Sequence, residues 1–322
     1  MIQPKSISII IPNFNGSELL KDYLPMVYDA LKSSAYISDF EIIIIDDASS
    51  DNSIQFLSTN YPDIILLQNS ENLGFSKTIN KGIFSSKMEL ILLLNTDMAL
   101  SKNIFDHLIP HFSTDSSIFG VSPTIYNKTG DLILEGQKTP LFKKNTISYL
   151  DNTDQTQPCN SLYLCGGCAL VSKEKLLQLN GFNEIYSPFY FEDFDLSVRA
   201  WLKGWKCLYI PDAHIFHCHS VTINTHFDKE HVEKIFIRNR LLFNYLYLDG
   251  FGCFLFSLKN YVKYVLGKIL PSKSKTTFNS AFKAYQEMRE RKKIRKELMR
   301  YCENSLDKIL SNYFPQSKIS FF

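Results

Sequence analysis

The sequence has neither of the common glycine-rich phosphate loops. No G-x-x-x-x-G-K-[ST] is present and no G-x-G-x-x-G follows the first strand-like run, so a nucleotide would have to be held in another way. No uninterrupted apolar run approaches the ~20 residues that a bilayer-crossing helix needs. A strong charge of either sign is also missing: 35 Lys and Arg stand against 33 Asp and Glu, for a net +2. That balance gives no case for nucleic acid as a partner and leaves any basic surface local. The seven cysteines are odd in number and scattered, which suits reduced thiols better than a disulfide framework. The N-terminus MIQPKSISIIIP lacks the charged start, apolar run and small-residue cleavage site of a signal peptide, so cytoplasmic residence is expected.

What is present is a regular alternation. At 322 residues and 45% hydrophobic content the chain can bury a full core, as one large domain with an appendage. Residues 6–12 (SISIIIP) read as a buried parallel strand ended by Pro12 and the loop Asn13–Gly16. A helix capped by Ser17 follows, with Leu20, Leu24, Val27 and Leu31 at helical spacing and Pro25 marking a kink. Residues 40–45, 64–68 and 89–94 are further strands, and each runs into a polar cluster: Asp46–Asp51, Asn69–Phe75 and Asn95–Asp97. Successive strand–loop–helix units predict an α/β sheet of mainly parallel strands with ligands at the strands' C-terminal ends, where these clusters lie.

Beyond Pro110 a strand is expected at 117–122, while residues 126–158 show no clear pattern. The run 162–171 reads as a strand that Gly166-Gly167 turns sharply or opens to a close approach by another group. Ser172 caps a helix that ends at Gly181. A short helix opens at the carboxylates Glu192, Asp193 and Asp195 and ends at Gly204. Residues 206–210 form a strand stopped by Pro211, which returns His217 toward the carboxylates. Cys165, Cys168, His214, His217 and Cys218 are an alternative reading as a zinc site, with no second Cys-x-x-Cys to support it. Trp201 and Trp205 suit either sugar stacking or the core. Asn95-x-Asp97 at a strand end places two oxygen-bearing side chains on one side, where a hard divalent cation can bind.

Five segments in order, SIIIPNFNG (8–16), IIIIDDASSD (42–51), ENLGFSKTINKG (71–82), LLLNTD (92–97) and 190–217, resemble glycosyltransferase family 2, the inverting nucleotide-sugar transferases of GT-A fold. The Asn-x-Asp is most similar to that of the family's rhamnosyltransferase-like branch. The resemblance covers roughly residues 6–220 and implies a doubly wound, mainly parallel sheet. It implies a catalytic domain over 1–222, with a nucleotide-binding half at 1–100 and an acceptor half at 101–222. A C-terminal helical region is expected at 223–322. By resemblance, Asp46 recognises the base, with Pro12, Asn13, Asn15, Asn72, Gly74, Asn80, Asn95 and Thr96 around the nucleotide. Asp97 and His217 hold Mn²⁺ or Mg²⁺, Asp193 is the general base, and Glu192 orients the acceptor. Asn95 departs from the usual carboxylate. Asp195 is read as a helix cap or a partner of Arg199.

The expected activity is metal-dependent, inverting transfer of a sugar from a UDP- or dTDP-sugar to a hydroxyl of a glycan or lipid-linked glycan in cell-surface polysaccharide synthesis. The alternatives are a nucleotidyltransferase and a non-catalytic sugar-nucleotide or glycan-binding scaffold. Residues 230–266 and the basic run 283–300 read as helical, and 241–270 either lies on a membrane surface, at the inner face of the cell membrane, or packs as a hairpin.

Overall fold

The computed structural model describes residues 2–142, 146–218, 228–302 and 304–315. In chain order the elements are β1 Lys5–Asn13, α1 Ser17–Ser33, β2 Ile37–Asp46, α2 Ser53–Asn60, β3 Ile65–Gln68, α3 Phe75–Ser85, β4 Leu90–Leu94 and β5 Met98–Leu100. Then come α4 Ile104–Leu108, α5 Pro110–Thr114, β6 Ile118–Asn127, β7 Ile133–Glu135, β8 Gln137–Phe142, β9 Ile147–Asn152, β10 Cys159–Asn160 and β11 Cys168–Ser172. These are followed by α6 Lys173–Gln178, α7 Glu192–Leu202 and β12 Lys206–His217. The C-terminal helices are α8 Lys229–Tyr247, α9 Gly250–Ile269, α10 Lys273–Glu287, α11 Arg291–Tyr301 and α12 Leu306–Tyr313.

Among the described residues the main sheet runs β10-β12-β6-β11-β4-β1-β2-β3, with β5 added on β12 and β7 on β6. Its long ladders, β1–β2 and β12–β6, are parallel, as are β1–β4 and β2–β3. β11 runs antiparallel between β4 and β6. The α/β, mainly parallel architecture expected from the alternating runs is therefore present. All five residues of β4 are buried, as an aliphatic strand covered on both faces should be. The register places Asn13 opposite Asp46 and Asp46 opposite Gln68, so the polar strand ends line up along one edge.

Several local expectations change. Ser17 does not cap α1: Gly16 takes the cap position, and the Ser17 amide is bound by Asp51 at 2.9 Å. Pro25 lies inside a helix that continues to Ser33. Of the 162–171 run only the part from Cys168 onward is strand, which continues to Ser172. Ser172 does cap α6, and Gly181 closes the turn after it with φ +65° and an amide donated to Leu176 O at 3.0 Å.

Pro211 does not stop its strand. β12 continues to His217 because the register shifts between Ile210 and His214, which face the consecutive residues Pro123 and Thr124. Pro211 sits in that bulge, where no ladder amide is required, and its carbonyl accepts from the Thr124 hydroxyl at 3.0 Å.

The chain divides into two compact units. One holds residues 1–138, 151–188 and 192–220; the other holds 139–150, 189–191 and 221–322. The expected boundary at 222/223 lies outside the described residues. Within the second unit the helical stretch 230–266 is broken at Leu248–Asp249 and the basic run is broken at Met288–Glu290. The buried Asn239 amide donates to Phe189 O and Tyr190 O, both at 2.9 Å. Arg295 of α11 donates to the carbonyls of Tyr245, Leu246 and Leu248, which α8 leaves unsatisfied at its C-terminal end.

Candidate active site

The first cluster forms where β1 and β2 end. Asp46 is buried, and its carboxylate accepts from Asn13 Nδ2 and from Ser49 N, both at 2.9 Å. Asn15, in the left-handed region at φ +52°, accepts from Ser50 N at 2.8 Å, and its own amide donates to Ser49 Oγ at 2.9 Å. Pro12 pairs with Ile45 one step back along the ladder. The structure thus brings Pro12, Asn13, Asn15 and Asp46 together. Two of the roughly four lone-pair sites of Asp46 are occupied, which leaves acceptor capacity on the same carboxylate.

Asp47 was not singled out in the sequence, yet it organises the next loop. Its Oδ1 accepts from Asn69 Nδ2 at 2.8 Å and Leu73 N at 2.9 Å, and its Oδ2 accepts from Gly74 N at 3.0 Å. Adjacent strand-end carboxylates point to opposite faces, so the second of the pair needs partners of its own; that is the signal that was available. Gly74 holds φ +79°, and a Cβ there would meet Pro188 Cα at 3.0 Å. Asn72 is exposed at the rim of this loop. Asn80 faces elsewhere: its amide donates to Phe182 O at 2.9 Å and accepts from Phe182 N at 2.8 Å. That side chain is committed to the 182–184 loop.

The second cluster follows β4. Asn95 N donates to Gly167 O at 2.9 Å, and Thr96 lies beside the β1 loop, 3.6 Å from where a Gly16 Cβ would stand. Asp97 Oδ2 is 2.9 Å from His217 Nε2. The antiparallel β5–β12 pair, with Met98 opposite His217, makes this meeting across 120 positions. Both side chains keep partial solvent access. Among the described residues no three His, Cys, Asp or Glu side chains gather into a metal-ligand group. The residues of the zinc alternative include His217, which is directed at Asp97.

The third cluster is the mouth of α7. Asp193 Oδ1 accepts from Phe194 N at 2.7 Å and Oδ2 from Gly166 N at 3.3 Å. Burial pushes its carboxyl up to about 6 and the Glu135 charge adds to this, against the pull of the Gly166 and Phe194 amides. Glu135, held by Lys138 at 3.2 Å, is a neighbour the unpatterned stretch 126–158 had hidden. Glu192 is buried and its Oε2 finds no partner among the described residues. Burial first, then the Asp193 charge, drives its carboxyl well above the usual range. Asp195 is spent on structure: it receives Arg199 Nε at 2.7 Å and the Tyr186 hydroxyl at 3.1 Å. Trp201 is core, its indole donating to Ser161 O and Leu162 O.

Gly166-Gly167 joins the second and third clusters. A Cβ on Gly166 would stand 3.0 Å from Asp193 Cβ, and one on Gly167 would stand 2.6 Å from Asn95 Nδ2. Each glycine lets one site side chain lie directly on the backbone.

The chain is 23% identical over 202 residues to an N-acetylglucosaminyl-diphospho-decaprenol L-rhamnosyltransferase of Mycobacterium tuberculosis, covering 55% of this chain and 66% of that protein. It is 25% identical to a poly-beta-1,6-N-acetyl-D-glucosamine synthase of Staphylococcus aureus, over 65% of this chain and 49% of that one. It therefore spans about half to two thirds of these relatives. Among solved structures, GalNAc-T7 with UDP, GalNAc and Mn²⁺ superposes with a TM-score of 0.63 at 16% identity, over 96% of this chain and 56% of that one. The mannosyltransferase PcManGT of Pyrobaculum calidifontis, with GDP-Man and Mn²⁺, gives 0.53 at 14% identity, over 98% and 88%. The fold is that of the GT-A glycosyltransferases. Residues 8–179, from the β1 strand through the acidic turn, the Asn95–Asp97 loop and the diglycine, match the family model "Glycosyl transferase family 2", and the chain belongs to that family.

Proposed function

We propose that this family 2 glycosyltransferase moves a sugar from a UDP- or dTDP-sugar to a hydroxyl of a glycan or lipid-linked glycan, in one metal-dependent, inverting step, in cell-surface polysaccharide synthesis. The observation that carries the reading is Asp193: a carboxylate lifted to about 6, placed by Gly166 on the other side of one peptide unit from the Asn95–Asp97 loop. An acceptor hydroxyl is a poor nucleophile until a positioned base takes its proton, and a base poised near neutrality suits that task. As the hydroxyl oxygen bonds to the anomeric carbon, its proton passes to an Asp193 oxygen. The bond from that carbon to the diphosphate breaks on the opposite side, which inverts the centre. Glu192, beside Asp193, would orient the acceptor.

Asp97 and His217 fit a divalent cation. Their Oδ2 and Nε2 lie 2.9 Å apart, and together they would hold the ion; a carboxylate oxygen with an imidazole nitrogen suits Mn²⁺ better than Mg²⁺. When bound, the ion stabilises negative charge on the leaving diphosphate. Asp46 accepts a hydrogen bond from the base, with Pro12, Asn13 and Asn15 beside it. Asn72, Gly74, Asn95 and Thr96 line the same strand-end edge, while Asn80 supports it through the 182–184 loop. A lipid-linked acceptor would place the reaction at the inner face of the cell membrane.

Calorimetry with Mn²⁺ and UDP or dTDP tests the reading. Asp97→Ala is expected to weaken metal-dependent nucleotide binding by more than ~10-fold, and His217→Ala by less. Equal affinity in wild type and Asp97→Ala would remove the metal assignment.

A further inference from the structure

The C-terminal unit carries a surface that sugar transfer does not use. α9 buries Phe256, Asn260 and Gly267 along one side. Its other side is apolar and open: Phe251, Phe254, Leu258, Tyr261, Val265 and Ile269 are between 37% and 71% exposed. At 3.6 residues per turn these six fall within an arc of about 80° and run ~27 Å along the helix. Lys259 and Lys268, both exposed, border that arc on opposite sides, with the Lys268 ammonium 4.5 Å over the Tyr264 ring. Contiguous exposed apolar surface of this kind marks an interaction site.

Charge says what covers it. Residues 250–300 carry thirteen Lys and Arg against three Asp and Glu, a net +10, while the whole chain is only +2, so the remainder carries −8. We infer that α9 is an in-plane anchor whose stripe enters the headgroup–acyl boundary of an anionic bilayer, with the net positive charge of this segment drawing it to the lipid phosphates. A second copy of the chain fits poorly, because stripe-to-stripe pairing would set +10 against +10. Nucleic acid would use the charge and leave the stripe exposed. No helix among the described residues is long and apolar enough to cross a membrane, which leaves a surface-lying mode for this stripe.

The structure also narrows the segment expected from sequence. Residues 241–247 contribute nothing exposed and apolar, since Leu241, Leu242, Phe243, Leu246 and Tyr247 are buried in α8. Lys263 lies 4.3 Å over the Phe278 ring of α10, away from the stripe.

The inference goes beyond glycosyl transfer and does not rest on it. Flotation of the full chain is measured with vesicles of phosphatidylcholine alone and of phosphatidylcholine mixed equally with phosphatidylglycerol. Binding to the mixed vesicles only is expected, with part of it surviving ~1 M salt, where the Debye length is ~3 Å. The exposed pair Leu258→Asp with Val265→Asp is expected to weaken binding at least ~10-fold with unchanged circular dichroism and melting temperature. Phe254→Trp should shift its emission to the blue with mixed vesicles alone. Absence of flotation overturns the proposal. So does binding that is lost entirely in salt and untouched by the paired substitution, which is charge-only adhesion of the kind nucleic acid would share. A dimer in light scattering that the paired substitution dissolves, with no vesicle binding, assigns the stripe to a second copy instead. Failure of sugar transfer with a soluble acceptor would leave each of these readings standing.

Discussion

Two acidic turns sit in the catalytic unit and differ in one respect. Asp46, Asp47 and Asp51 are supplied with donors: between them they accept from five backbone amides and from the side-chain amides of Asn13 and Asn69, besides the Ser53 hydroxyl. Burial raises the Asp51 carboxyl, but its bonds from Ser53 and Ser17 outweigh that and hold it low. At the mouth of α7 the balance is reversed. Asp193 has two backbone amides and is still lifted to about 6, and Glu192 Oε2 has none among the described residues. In the 46–51 turn the donors go into building a site; at the mouth of α7 burial outweighs the donors present, and a carboxyl raised in that way is suited to taking a proton.

The sharpest way to break that contrast is Asp193→Asn. Sugar transfer should fall by ~10²–10⁴-fold, the usual cost of losing a positioned base, while donor affinity stays within a few-fold. Single-turnover transfer measured beside donor binding separates the two effects. Near wild-type transfer in Asp193→Asn with a dead Glu192→Gln would exchange the two roles.

Asp47→Ala tests the opposite side. It strands the Leu73 and Gly74 amides and removes one of the partners of the Asn69 side chain, and a loss of roughly 2–4 kcal/mol in chemical denaturation is expected. An unchanged midpoint would mean that the 69–74 loop holds itself.

Glu192→Gln should leave stability at pH 8 unchanged or raised, because the amide removes a buried group that resists ionisation. A clear loss of stability there would show that the carboxylate is partnered after all.

The smallest effect is in pH. The Asp193 carboxyl is raised on folding, so its stabilising contribution is present at low pH and is lost as pH climbs from ~4 through about 6. That of Asp51, which is lowered, is present above ~4 and is lost as pH falls. Wild type minus Asp193→Asn should therefore drop by about 1–2 kcal/mol between pH 4 and 7, allowing for partial solvent access. Wild type minus Asp51→Asn should rise from pH 3 to 5. The rate limb of kcat/KM, which needs ionised Asp193, should have its midpoint near pH 6.

The strands at 6–12, 40–45 and 89–94 were legible because a buried aliphatic run has few other uses, and 64–68 because it repeats such a run at the sheet's edge. The polar clusters at their ends were legible for the same reason. What the sequence hid depended on partners far along the chain. Asp47 takes donors 22 to 27 positions away, in a loop with no periodicity of its own. β7 is three residues long, so Glu135 gave no strand pattern to place it near Asp193. Pro211 misled because proline ends a strand only where the ladder needs its amide, and the bulge at that point is set by β6. Asn80 was placed at the nucleotide by resemblance alone, while its side chain is held by Phe182, 102 positions downstream.

The diglycine at 166–167 has a consequence for anyone who wants to redesign this enzyme. Asp193 rests on one α-carbon and Asn95 on the next, so the gap between these two side chains is gauged by a covalent length of ~3.8 Å. Such a gauge does not loosen when side chains around it repack. Any side chain added at 166–167 reaches Asp193 from one position and Asn95 from the other. The pair can serve an engineer as two separate controls: Gly167→Ala displaces Asn95 and leaves Asp193 where it stands, and Gly166→Ala does the reverse.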